Sequence, residues 1–212
     1  DAAPSLDYTL LLFNLNPVDG SAGKPASRPW FELQHFRQAV SLAVDRGAIA
    51  RLVYRGRASA IWTPVTPARG QWFDPGIERP GPSLERARKL LQEAGFRWQP
   101  DGRMVDPSGS PVRFTVLANS GNPAYSQTGA IREEDLKKLG IEARLAPMEF
   151  RSLVDRVVNK RDFDTAIMAL RPGDADPSAD MNAFVANGRT RLWNLSGRSD
   201  RPWEAEMDRL MA

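Results

Sequence analysis

Arg171, Asp174 and Asp176 crowd into the run Arg171-Pro172-Gly173-Asp174-Ala175-Asp176-Pro177. A guanidinium there can meet an anionic group through two parallel hydrogen bonds. The two carboxylates can face a cation or cap a turn. With Asp180 they have oxygen-ligand chemistry suited to Ca²⁺, but a glycine at the sixth loop position and a closing glutamate are missing, so a calcium loop is not expected. Asn119-Ser120-Gly121-Asn122 falls between an expected strand and an expected helix, where α/β sheets turn their loops toward ligands. Catalytic chemistry is poorly supplied by contrast. The single histidine, His35, sits beside an expected helix start, and no Gly-x-Ser-x-Gly elbow accompanies it. Neither a Walker sequence nor Gly-x-Gly-x-x-Gly is present to cradle phosphates. Nothing singles out a carboxylate pair for acid–base hydrolysis. The absence of cysteine excludes disulfides and thiolate metal sites and is compatible with an oxidising compartment. No catalytic residue, metal or cofactor is therefore expected from these patterns.

The elements that must position these residues read as an α/β chain. Tyr8 to Asn14 is an almost wholly apolar run, expected to be a strand buried on both faces. Pro17 to Pro29 is rich in Pro and Gly and reads as a loop. Phe36, Ala39, Val40, Ala43 and Val44 recur at helical spacing, followed by a shorter helix with Ile49, Leu52 and Val53 inward and Gly56 at its exit. The Pro- and Gly-dense stretch between Thr63 and Pro82 reads as a long connection over the surface. Ser83 is placed to cap a helix over Leu84 to Ala94 that ends at Gly95. Asp101-Gly102 and Pro107-Ser108-Gly109 mark turns around a small hairpin. Val112, Phe114 and Val116 alternate as a strand, and a helix within Ala124 to Leu139 ends at Gly140. Ile141, Ala143 and Leu145 alternate as a second strand. Phe150, Leu153, Val154, Val157 and Val158 form a helical stripe, and Phe163 to Leu170 is a further apolar strand. This β-α-β-α-β order favours parallel strands joined by right-handed crossovers. A last helix, with Trp203, Met207, Leu210 and Met211 on one apolar face, closes the chain.

Composition bounds the partners. The 212 residues are 42% hydrophobic and 26% charged, ordinary for a globular protein. The net charge of +3 is spread through mixed runs such as Glu85-Arg86-Ala87-Arg88-Lys89, not gathered into the basic stripe that nucleic acid requires. No apolar run approaches a membrane span, so no direct membrane insertion is expected. The chain opens Asp1-Ala2-Ala3 without Met, as a processed or excised segment would.

Beyond their physics, several segments resemble the family 5 extracellular solute-binding proteins, the peptide, dipeptide and nickel-binding components of bacterial ABC importers. The resemblance is carried by Arg37-Gln38-Ala39 with Ala43-Val44-Asp45-Arg46 and Tyr54-Arg55-Gly56. It continues in Leu90-Leu91-Gln92-Glu93-Ala94-Gly95-Phe96, in Asp101-Gly102 with Gly109-Ser110-Pro111-Val112-Arg113-Phe114, and in Asp135-Leu136-Lys137-Lys138-Leu139-Gly140-Ile141. Asp162-Phe163-Asp164, Asp176-Pro177 and Trp203-Glu204-Ala205-Glu206-Met207-Asp208 complete it. Each piece is weak alone, and together they extend from about Tyr8 to the end.

The resemblance implies one lobe of a type II periplasmic-binding-protein clamshell, a mixed β-sheet with flanking helices. Residues 1–212 would be a single domain, the distal lobe, with the lobe carrying the parent's termini outside this sequence. It implies a periplasmic or extracytoplasmic protein, lipid anchoring through an upstream segment being compatible with that. Its partners would be a peptide or other small-molecule ligand, and ABC permease subunits in the longer parent. A ligand-sensing domain of a transcriptional regulator is the alternative. The site residues implied are Arg171, Asp174, Asp176, Phe150, Asn119 and Asn122. Phe150, after Glu149, sits where many members have Trp after an acidic residue, although its apolar stripe equally assigns it to the core. Peptide-binding members pair an Asp with the ligand's α-amino group. Aligned on Asp176-Pro177, that position falls at Gly173, with Asp174 one residue off, and a neighbouring Trp position holds Leu170. The ligand is thus expected to depart from an ordinary peptide with a free amino terminus, Arg171 meeting an anionic group instead.

Overall fold

The computed structural model describes residues 5–16, 29–199 and 201–211; the expected loop from Pro17 falls largely outside them. Three apolar segments become parallel strands because each is joined to the next by a helix, as anticipated. They are β4 (Arg113–Asn119), β5 (Glu142–Met148) and β6 (Thr165–Leu170), in a sheet of order β1-β6-β4-β5. β4 and β5 pair in parallel from Arg113↔Glu142 to Asn119↔Met148. The β5-to-β6 connection therefore passes over β4, and β6 pairs with its other edge at Val116↔Thr165 and Leu117↔Ala166. β1 (Tyr8–Phe13) adds an antiparallel edge, from Tyr8↔Leu170 to Phe13↔Thr165.

Period-two alternation sends each strand's side chains into two cores. Phe114, Val116, Ala118 and Ile167 enter the larger one, beside α1 (Gln34–Ala43), α3 (Leu84–Glu93) and α4 (Pro123–Lys138). Its centre is aromatic. Phe31, Phe36 and Phe114 have centroids 5.4 to 6.5 Å apart, and Trp30 joins them at 4.7 Å from both Phe31 and Phe36. Leu12, Leu117 and Ala166 point the other way, against Leu153 and Val157 of the α5 segment (Phe150–Val154, continued by a wide turn over Asp155–Asn159) and against Phe163. α4 and α5 thus cover opposite faces.

Local signals start and end the elements, at Ser83 and Asp101-Gly102 as expected. The Ser83 side chain accepts from the Arg86 N–H and starts α3. Asp45 caps α2 (Arg46–Leu52) by accepting from the Ala48 N–H. The hairpin β2 (Arg97–Trp98) and β3 (Met104–Val105) turns at Asp101-Gly102. Asp164 supplies a bond that the β4–β6 ladder lacks: its carboxylate accepts from the Thr115 N–H at 2.9 Å, while the Thr165 hydroxyl donates to the Thr115 carbonyl.

Five expectations are corrected. β1 has residues against both cores, but as an edge strand it fully buries only Tyr8 and Leu12. Leu52 is exposed because α2 packs through Ile49 alone. Phe150, 54% exposed, opens α5 ahead of the packed turn and is not core. Val158 is also exposed, because the wide turn, with Lys160 N–H bonded to the Asp155 carbonyl, adds a residue per turn and rotates the stripe off the sheet. In the last helix, α7 (Pro202–Met211), Trp203 and Leu210 face outward, and the buried residue is Glu204. Glu204 ion-pairs with buried Arg191, and Asp208 accepts from the Ala186 N–H at 2.8 Å, so polar anchors seat this helix.

Candidate functional site

Because β4, β5 and β6 run parallel, their C-terminal ends share one edge of the sheet, and the expected site residues follow those ends. Asn119 is the last residue of β4, and its side-chain oxygen accepts from the Gly121 N–H at 2.9 Å. Asn122 caps α4 by accepting from the Ala124 N–H. The Ser120 N–H bonds to the Met148 carbonyl at 2.8 Å, tying this loop to the end of β5. Glu149 and Phe150 follow β5 directly, with Glu149 capping α5 by accepting from the Ser152 N–H. Arg171 follows β6. The chain leaves β4 toward one face and β5 toward the other, the arrangement that opens a crevice beyond strand ends.

The 171–180 segment is a set of turns. Arg171 is 75% exposed and lies 3.5 Å from the Asp7 carboxylate, a pair that adds little stability and leaves the guanidinium available. Asp174 accepts from the Asp176 N–H at 3.4 Å. Asp176 accepts from the Ser178 N–H at 2.9 Å and starts the short helix Pro177–Asp180. That backbone donor holds the Asp176 carboxyl below its ordinary value, so it stays charged. Both aspartates are exposed and both perform the turn role open to them, with their remaining oxygens facing solvent. Among the described residues no group of three or more His, Asp or Glu gathers in a way that would hold a metal ion.

Two contributors escape sequence reasoning. Arg69 lies within the Pro- and Gly-rich connection, where a lone arginine gives no signal. Its side chain, 1% exposed, ion-pairs with Asp180 and donates to the Ala175 carbonyl at 3.3 Å, bracing the 171–180 segment from beneath. Tyr125, in the first turn of α4, feels the charges of Arg171 and Asp7, and burial pushes its hydroxyl pKa up. Beside this edge a cavity of about 720 Å³ opens along β1, lined by Tyr8 and Leu170 at the edge and by residues of α1, α4 and the 191–204 segment. The buried side chain of Asn16 ties the segment after β1 to the 191–204 segment: it donates to the Leu192 carbonyl at 3.0 Å and accepts from the Leu195 N–H at 2.7 Å.

This arrangement has known counterparts. A probable ABC transporter-binding protein from Deinococcus radiodurans is 27% identical over 183 residues, 81% of this chain and 31% of its own length. The oligopeptide-binding protein AppA of Bacillus subtilis is 25% identical over 175 residues, again 81% of this chain and 32% of its own. The chain thus spans about a third of the length of these curated relatives. In structure it superposes on NikZ from Campylobacter jejuni, solved with Ni(L-His), with a TM-score of 0.79 at 20% identity, over 98% of this chain and 39% of that one. The Bacillus subtilis AppA structure, solved with a nonapeptide, gives 0.77 at 25% identity over 98% and 38%. The two curated relatives are described as binding proteins. The family profile described as bacterial extracellular solute-binding proteins, family 5, middle region, matches residues 1–191, and the chain belongs to that family.

Proposed function

We propose that this chain is one lobe of the solute-binding component of a bacterial ABC importer, acting outside the cytoplasm and handing its ligand to permease subunits. The observation that carries the reading is the common edge formed by the ends of β4, β5 and β6. It gathers Asn119, Asn122, Phe150, Arg171, Asp174 and Asp176 onto one side of the molecule, at the strand ends and in the segments that follow them. A second lobe would close over that edge and bury the solute, the hinge closure used by proteins of this class. The exposed ring of Phe150 offers an apolar contact, Arg171 takes an anionic group, and the asparagines and aspartates orient polar groups of a peptide-like solute. No bond is made or broken.

A lone wall has half the contacts and bears the whole entropic cost of association. The expected affinity of these 212 residues for a nonapeptide pool or for Ni(L-His) is therefore weaker than micromolar by calorimetry. Sub-micromolar binding by the chain alone would contradict the two-wall mechanism.

A further inference from the structure

Arg132 occupies the buried side of α4, where a guanidinium is out of place. The residue keeps a little exposure, but its Nε and Nη1 are buried and have no hydrogen-bond partner among the described residues. Burial together with the like charge of Arg46 pushes its pKa down to about 10. The other charge acting on it is the Tyr54 phenol, whose buried hydroxyl is also without a partner. Arg46 is rigidly placed. It donates to both the backbone carbonyl and the hydroxyl of Ser41 at 2.7 Å, and its guanidinium lies 5.6 Å from the centre of the Trp62 ring. Burial lowers its pKa. Both arginines line the cavity beside β1. The two glutamates in the same lining act elsewhere, Glu204 on Arg191 and Arg37, and Glu32 on Arg37. Two largely buried cations in mutual reach, with no anion between them among the described residues, leave an uncompensated charge that folding otherwise avoids.

We infer that this cavity is a carboxylate-binding site: Arg132 and Arg46 grip the anionic group, and Leu11, Val44 and Trp62 line the space for an apolar skeleton. The Arg132 Nε and Nη1 are donors that a carboxylate can satisfy. The inference rests on the solute-binding reading only in supposing that the carboxylate belongs to a solute. The same chemistry would be met by an acidic side chain from a longer form of the protein.

The test uses this chain with N-acetyl-L-leucine and its uncharged amide as probes, at constant ionic strength, followed through the arginine Nε–H resonances. The acid is expected to shift the Arg132 and Arg46 signals and to bind about ten- to hundredfold tighter than the amide. Arg132→Gln is expected to abolish that preference, and Arg132→Lys, which keeps the charge without the guanidinium, to restore part of it. A far-ultraviolet melt of each variant separates loss of the site from loss of the fold. Equal binding of acid and amide, no binding of either, or a preference that survives in folded Arg132→Gln would overturn the inference. Repeating the titration on the protein extended to the length of its relatives distinguishes the sources: retained binding assigns the site to a solute, and binding lost there but present in the short chain assigns it to an internal acidic residue. Neither arm involves Arg171 or Asp174, so failure here leaves the importer reading standing and its failure leaves this site standing.

Discussion

Arg69 braces the 171–180 segment from a part of the chain about a hundred residues earlier, and its side chain is almost fully withdrawn from water beside Asp180. Replacing it with Met removes one partner of a buried pair and leaves a carboxylate uncompensated. We expect urea denaturation of Arg69→Met to show a loss of about 3–5 kcal/mol; a loss within ~0.5 kcal/mol would mean that the pair does not hold the segment. Asp176 gives a pH signature at the same scale. Its carboxyl is held below the ordinary 3.8 by the Ser178 N–H, so the turn it caps is favoured above that value and the contribution disappears as pH falls through the lower folded midpoint. A carboxyl ¹³C titration should place the Asp176 midpoint under 3.8, and a midpoint at or above it would deny the cap. The turn roles of Asp174 and Asp176 were legible in the sequence because turn chemistry is local. Arg69, Tyr125 and Arg132 were not, since a residue whose meaning depends on a distant partner carries no mark of it in its own neighbourhood.

Elements are held by a few local devices joined to long-range packing. Gly140 ends α4 at φ +87° and brings the chain against the hairpin: a Cβ there would meet the Met104 backbone nitrogen at 3.0 Å and the Trp98 indole nitrogen at 3.0 Å. Its carbonyl accepts from the Met104 N–H at 2.8 Å, and the Trp98 indole donates to the Leu139 carbonyl at 2.7 Å. Gly140→Ala should therefore cost more than the roughly 1–2 kcal/mol of a left-handed alanine, because the hairpin has to move as well. Thermal unfolding unchanged by the substitution would contradict this. Strand and helix identities were readable throughout the β4-to-β6 unit, since Phe114, Val116 and Ala143 keep a period of two and Leu136 and Leu139 mark the packed side of α4. Burial was less readable. Leu52, Phe150, Val158, Trp203 and Leu210 are apolar at helical spacing yet exposed. Periodicity identifies the apolar side of a helix but not whether an element lies against it, and the wide turn after Val154 breaks the period outright.

At the scale of the molecule, the order β1-β6-β4-β5 puts the three parallel strand ends together, and with them loops separated by up to 57 positions, from Asn119 to Asp176. Topology turns a scattered set of polar residues into one face. That parallel unit was expected from the alternation of strands and helices; the crossing of β4 by the β5–β6 connection was set by packing against both faces of the sheet, which no local pattern encodes. The face and the adjoining cavity suit a wall that closes on a solute, and the family's extracellular solute-binding role agrees with the fold. The central claim, that a solute is held at this edge between two walls, is tested most directly by native mass spectrometry. The protein, extended to the length of its relatives, is purified without denaturation from the cells that naturally make it, with and without alanine at both Arg171 and Asp174. The account predicts a discrete small mass that leaves on unfolding and is missing from the doubly substituted protein. A spectrum bare of any such mass, or a bound mass indifferent to both substitutions, would contradict it.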